Sequence, residues 1–202
     1  MPLWLGPTSL VLASRSVARR MLLVAAGIPI EVVASDVDER MVEDGVPSVG
    51  SAAVARLLAG EKARAVASLR PGRLVVGGDQ TLALGERRFT KPADRASAKD
   101  QLLSLAGRTH ELYSAVCVVR DGATLFEHVG VARLKMRSLS PEFLETYLDL
   151  AGPAVISSVG AYQLERVGVQ LFEQVEGDHF TILGLPLVPL LSFLRDHGWL
   201  LA

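Results

Sequence analysis

Five short stretches of this 202-residue chain hold residues able to handle phosphate. The first is "VVGGDQTLAL", Val75 to Leu84, with Asp79 set in an otherwise apolar run. A carboxylate there is costly to bury unless a cation or a protic partner meets it. A Gly-Gly-Asp turn at a strand end would also account for it, since both residue types are ordinary in turns. The second, "ASRSVARR", places Ser14, Arg15, Ser16, Arg19 and Arg20 at a strand-to-helix junction. Backbone N–H groups at a helix start, joined by hydroxyls and arginines, hold anions. A capped amphipathic helix with solvated arginines is the plainer reading. The third, "GEKARA", carries Lys62 on a helix, where a lone lysine is ordinarily solvated. In the fourth, "RRFTKPAD", Pro92 keeps Lys91 extended and so aimed from a fixed point, or Lys91 belongs to a charged loop. The fifth, "GAYQLERVGVQLFEQVEGDHFTILGLP", is dense in glycine, which lets backbone approach a ligand and equally forms turns. One acid, several cations and a phosphate-friendly helix start make the inventory for metal-assisted attack on a phosphate anhydride.

Those residues need elements to hold them. "SLVLA" predicts a strand over Ser9 to Ala13, followed by a helix with Ser16 as its N-cap and Gly27 at its C-terminal end. "IPIEVVAS" predicts a second strand. The acidic loop from Asp36 to Pro47 is the longest polar stretch and a candidate mobile edge. A helix of several turns follows, with Leu57, Leu58, Ala65, Val66 and Leu69 in helical period and Pro71-Gly72 as its stop. "RLVVGGDQTLALGERRF" reads as a strand and a hairpin at Gly85-Glu86, and "DRASAKDQLLSLAG" as a helix. Two strands then meet at Asp121-Gly122. Ser140 and Pro141 begin a helix, "GVQLFEQVEGD" reads as a strand, and "LPLVPLLSFLRDHG" as a closing helix. Alternating elements followed by paired strands predict an α/β domain with a mixed sheet.

Composition bounds the function. Half the residues are hydrophobic, so a large core or subunit interface is expected. The net charge of −1 and the lack of aromatic stacking platforms speak against nucleic acid and membrane surfaces as partners. The four histidines have no metal-ligand spacing, and no G-x-S-x-G nucleophile motif occurs. A single cysteine, Cys117 in "AVCVV", excludes an intrachain disulfide and fits a reducing cytoplasm. No run predicts a membrane span, and the N-terminus lacks a signal peptide's positive region.

"LVLASRSVARRMLLVAAGIPIEVVASDVDE", "EKARA", "VVGGDQTLAL", "KPAD", "LAGRTHELYSAV", "GAYQLERVG" and "VEGDHFTILGLPL" occur in the order and at the spacing of the Maf family, the septum-formation-inhibitor-like nucleoside triphosphate pyrophosphatases. The resemblance runs from about Leu10 to about Leu191. It implies one elongated domain over residues 1–202, similar to inosine-triphosphate pyrophosphatases, with a cleft between two lobes and often a homodimer. It also implies cleavage of the α–β anhydride of a nucleoside triphosphate with Mg²⁺ or Mn²⁺. Asp79 matches the family's proton acceptor, placed at a strand end, and Ser14 and Arg19 match its phosphate-binding junction. Glu39 matches an acid near the metal or base, so Glu39 and Asp79 are the metal candidates. Lys62 and Lys91 match two lysines facing the phosphates.

Two departures bear on the base. Val17 and Ala18 stand where the family has proline and a bulky residue that helps set specificity. Gln80 and Glu165 resemble the branch that prefers 7-methyl-GTP, whereas the dTTP and UTP branch has threonine and glutamine there. A carboxylate suits guanine, whose N1–H and N2–H₂ are donors. The alternatives are a dTTP/UTP or broad-specificity pyrophosphatase, or a non-catalytic nucleotide-binding regulator of septum formation.

Overall fold

The computed structural model describes residues 2–46 and 49–202. In chain order the elements are β1 (Leu10–Ala13), α1 (Val17–Ala25), β2 (Ile30–Val32), α2 (Glu39–Asp44), α3 (Ser51–Ser68), β3 (Val75–Leu84), β4 (Arg87–Phe89), α4 (Arg95–Leu105), β5 (Thr109–Arg120), β6 (Ala123–Met136), α5 (Pro141–Ala151), β7 (Phe172–Glu176), α6 (His179–Ile182) and α7 (Leu187–Asp196). The sheet is mixed and seven-stranded, in the order β2-β1-β3-β5-β6-β7, with β4 paired to β3. The chain forms two compact units, one of residues 1–80, 114–130 and 184–202, the other of 81–113 and 131–183.

In the first unit β1 lies between β2 and β3, parallel to both, and its four residues are buried. A parallel strand covered on both faces reads as a continuous apolar run, and "LVLA" does so. Helix α1 starts at Ser16, whose hydroxyl accepts from the Arg19 backbone N–H, and Gly27 past its end has φ +74°. The buried stripe of α3 is Val54, Ala55, Leu58, Ala59, Ala63 and Val66. Its small residues let β3 pass close. A Cβ on Gly77 would lie 2.1 Å from the carbonyl oxygen of Ala59 and 2.8 Å from the amide nitrogen of Ala63. Gly77→Ala is therefore expected to cost about 2 kcal/mol, the scale of overpacking. It should also lower activity by pushing α3 off β3; an unchanged urea midpoint would refute the close approach.

In the second unit the end of β3 turns at Gly85 (φ +60°) into β4, with Leu82 opposite Phe89. Helix α4 starts with a capping box of Asp94 and Ser97, and α5 with Ser140 as N-cap and Pro141 behind it. Their inner faces join Leu82, Leu134, Met136, Tyr147 and Leu171 in one core. Two expectations are corrected. The acidic stretch from Asp36 is not all loop, because Asp38 caps the two backbone N–H groups of Arg40 and Met41 and starts α2; Pro47 lies outside the described residues. "GVQLFEQVEGD" is only partly strand: Val167–Leu171 is a 3₁₀ turn and β7 begins at Phe172.

His110 of β5 is buried in this core, with Nε2 2.7 Å from the hydroxyl oxygen of Tyr162. Burial pushes its pKa down to about 4. The unfolded chain, with histidine near 6.5, then binds the proton more readily than the fold does. Stability is present in full above about pH 6.5 and is lost as pH falls toward about 4, by up to about 3 kcal/mol. Urea titrations between pH 7 and pH 4.5 should fall more steeply for the wild type than for His110→Leu; parallel slopes would exclude His110 as the group responsible.

Candidate active site

The site grows from the glycine pair before Asp79. Gly77 admits α3, and Gly78 admits an arginine: a Cβ there would stand 3.2 Å from Nε of Arg19. Asp79 follows inside β3, buried, and not at a strand end, since β3 continues to Leu84. The glycines serve close approach and not a turn, which corrects the sequence expectation.

Lys62 of α3 is buried, and its ammonium is 2.6 Å from Oδ1 of Asp79 and 2.6 Å from Oε1 of Glu39, the first residue of α2. Two carboxylates thus share one cation. Burial pushes the Asp79 carboxyl above its ordinary range, against the pull of Lys62 and Arg19. A carboxylate held ionised by cations, with its proton affinity raised by burial, has the properties of a general base.

Helix α1 sorts the arginines of "ASRSVARR". Arg19 shares the buried face with Leu22 and Leu23, while Arg15 and Arg20 are exposed and Arg15 pairs with Asp36 at 3.3 Å. The Arg19 Nε donates to the carbonyl of Gly184 at 2.7 Å, and Nη1 donates to Oγ of Ser14 at 3.1 Å. Burial lowers its pKa, and Asp79 and Glu39 oppose that fall. Arginine stays protonated regardless, so it is a fixed positive charge. Oγ of Ser14 also accepts from the Ser16 N–H, at 3.2 Å. Ser14 is thereby fixed as an acceptor twice over, and its own proton remains for a ligand oxygen.

Gln80 is half-buried, and its Nε2 donates to Oγ of the fully buried Ser114 at 2.9 Å. Ala18 is half-buried on α1. The first unit therefore holds Ser14, Ala18, Arg19, Glu39, Lys62, Asp79 and Gln80. Lys91 and Glu165 belong to the second unit, and both are exposed. Three contributors carry no expectation from the sequence: Gly77 as the contact for α3, Ser114 as the anchor of Gln80, and the Gly184 carbonyl that seats Arg19. The last two lie in the family-like stretches "LAGRTHELYSAV" and "VEGDHFTILGLPL", which is the only signal that could have pointed to them.

Similar proteins give this arrangement a family. A nucleoside triphosphate pyrophosphatase of Rhodopseudomonas palustris is 56% identical over 200 residues, covering 99% of both chains. A 7-methyl-GTP pyrophosphatase of Mesorhizobium japonicum is 51% identical over 191 residues, covering 94% of this chain and 96% of its own. A solved HAM1 protein from Coxiella burnetii overlaps 63% of this chain and 72% of its own at 18% identity and a TM-score of 0.37, a likeness too slight to carry an argument. The model of the Maf-like protein family matches residues 9–197, and the buried Asp79–Lys62 pair lies within that match, so the chain belongs to the Maf family.

Proposed function

We propose that this protein is a nucleoside triphosphate pyrophosphatase that uses Asp79 as its base. The observation that carries the reading is the buried carboxylate of Asp79 on the ammonium of Lys62, with Arg19 alongside, in a chain of this family. Asp79 takes a proton from water as the water oxygen bonds to the α-phosphorus. The bond to the bridging α–β oxygen breaks, and pyrophosphate leaves with the electron pair. Lys62, Lys91 and Arg19 stabilise the charge that grows on the leaving group. Ser14 donates its remaining proton to a phosphate oxygen.

Glu39 and Asp79 are hard oxygen donors, and Oδ2 of Asp79 accepts no hydrogen bond among the described residues. One or two carboxylates completed by water and phosphate oxygens suit Mg²⁺ or Mn²⁺, so the residues fit a divalent ion. Such an ion, when bound, supplies positive charge to the phosphate oxygens.

The preferred base is guanine-type, with 7-methyl-GTP first. Glu165 offers an acceptor carboxylate and Gln80 an amide, and guanine presents two donors and one acceptor. Thymine and uracil would set carbonyls against the carboxylate, and mismatched polar groups are strongly rejected. The small Ala18 leaves the base loosely stacked and broadens the selectivity. The relative named a 7-methyl-GTP pyrophosphatase supports this branch. The test measures pyrophosphate release from 7-methyl-GTP, GTP, dTTP and UTP with the ion supplied, in wild type and in Glu165→Gln. We expect the kcat/KM ratio of guanine to pyrimidine substrates to fall by about tenfold in the variant. Orthophosphate as the first product would overturn the reaction, and a wild-type preference for dTTP or UTP would overturn the base.

The protein works as a homodimer in the cytoplasm, without nucleic acid or membrane partners. Supporting the dimer, Val17, Met21 and Val24 form an exposed apolar stripe along α1. Sedimentation as a monomer at micromolar concentration would remove it. Supporting the cytoplasm, the one cysteine, Cys117, is a free thiol buried in the fold. No helix among the described residues is long and apolar enough to cross a membrane.

A further inference from the structure

The stretch that carries Glu165 is anchored from behind, within the second unit. Gly160 and Ala161 stand consecutively at φ +77° and +61°. That left-handed region is ordinary for glycine and unfavourable for alanine, whose Cβ crowds the carbonyl that follows. Ala161 is also fully buried, so its backbone is out of reach of water. Such a residue persists where the surrounding structure over-determines it, and it is typical of ligand clamps. Three side chains do so here. Tyr147 of α5, itself buried, donates its hydroxyl proton to the Ala161 carbonyl at 3.0 Å. Oε1 of Gln101 accepts from the Gly160 N–H at 3.2 Å. The next residue, Tyr162, is buried with its hydroxyl oxygen 2.7 Å from Nε2 of His110.

Beyond these anchors the chain turns at once. Nε2 of Gln163 donates to Oγ of Ser157 at 3.0 Å, and the Arg166 N–H closes a turn on the Gln163 carbonyl at 3.2 Å. The returning chain presses against that turn: a Cβ on Gly168 would stand 2.4 Å from the Gln163 carbonyl oxygen. Glu165 sits at the exposed tip. A carboxylate on a free loop samples many directions, whereas one mounted on a fixed stem keeps a few. The stem's direction is set at Ala161, because rotation of that backbone would swing the whole turn.

We propose that Tyr147 is a positioning residue for base selectivity: its hydroxyl holds the left-handed step at Ala161 and thereby the turn that presents Glu165. The proposal rests on the reading above in which Glu165 meets the base. Tyr147 touches neither base nor phosphate and acts through the backbone alone. Its phenol ring packs in the core of the second unit, so the ring supports the fold while the hydroxyl aims the turn.

Tyr147→Phe separates the two, since it keeps the ring and removes the hydroxyl. Two measurements on the full-length protein read the result: hydrogen exchange over residues 160–168, and the kcat/KM ratio of GTP to dTTP. We expect exchange of that segment to quicken about tenfold, the scale of one lost hydrogen bond, with α3 at its wild-type rate. The ratio should fall about fivefold, and the fall should vanish in a Glu165→Gln background. Ala161→Gly removes the Cβ that makes the left-handed step costly, so Tyr147→Phe with Ala161→Gly should recover the wild-type ratio. If Tyr147→Phe does not fold, Gln163→Ala, which frees the half-buried start of the turn, should lower the ratio in the same way. Unchanged exchange in Tyr147→Phe would overturn the proposal at the stem. Faster exchange with an unmoved ratio, in a protein whose ratio does respond to Glu165→Gln, would overturn it at the selectivity. A ratio that Glu165→Gln itself leaves unmoved is the separate failure of the base reading, and it takes the selectivity role of Tyr147 with it.

Discussion

Asp79→Asn is expected to leave the protein folded and to lower pyrophosphate release by about a hundredfold or more, the scale of a lost general base. The amide matches the carboxylate in shape, so the approach of α3 at Gly77 is undisturbed. It also removes a charge whose burial is unfavourable, as the raised pKa of Asp79 records. Lys62 keeps Glu39 as its counter-ion at 2.6 Å, so no cation is stranded. The variant should therefore unfold within about 1 kcal/mol of the wild type, and the loss should fall on kcat more than on KM. Denaturant midpoint and steady-state kinetics together decide the matter. Near wild-type turnover in the folded variant would take the base role from Asp79.

Lys62→Ala should be the more damaging change, because it acts on stability and activity together. The Lys62 and Asp79 side chains are each 9% exposed, and removing one member of a buried pair strands the other charge. We expect a loss of about 3 kcal/mol near pH 7.5 in the presence of a chelator. The half-exposed Glu39 is screened by water and adds little to that figure. The sign with pH is fixed. Without Lys62 the folded-state pKa of Asp79 rises further above its unfolded value, so the fold binds the proton more readily than the unfolded chain. The deficit is then largest above the folded pKa and shrinks as pH falls. Asp79→Asn placed in the Lys62→Ala background should restore most of the stability and none of the activity. A deficit that is flat with pH, or not relieved in the double variant, would mean that Lys62 supports the fold by packing alone.

The apolar periods, Ser16 and Ser140 as caps and Gly85 at the hairpin were legible as local signals, and α1, α3, α4, α5 and α7 stand where they point. The phosphate-handling inventory was legible as residue types, and its ordered spacing carried the family. The environment of each residue was not. Lys62 reads as solvated because a lysine among alanines carries no mark of burial. Only the packing of α3 on β3 makes it buried, and only the start of α2 gives it a second carboxylate. Gly77-Gly78 reads as a turn because local propensity records the freedom of glycine and not what passes beside it; across the fold the pair admits a helix backbone and an arginine. Arg19 looks the same as Arg20 until the buried face of α1 and the Gly184 carbonyl, 165 residues away in the chain, single it out. Gln80 shows nothing of Ser114, nor His110 of Tyr162. The sequence by itself determined most of the long elements and the chemical inventory, because both follow from interactions within a few residues, while the short α2 and the 3₁₀ turn before β7 did not show in it. The tertiary structure decided which charge is buried, which partner it meets and which way its proton affinity moves, because those depend on desolvation and on contacts between distant parts of the chain.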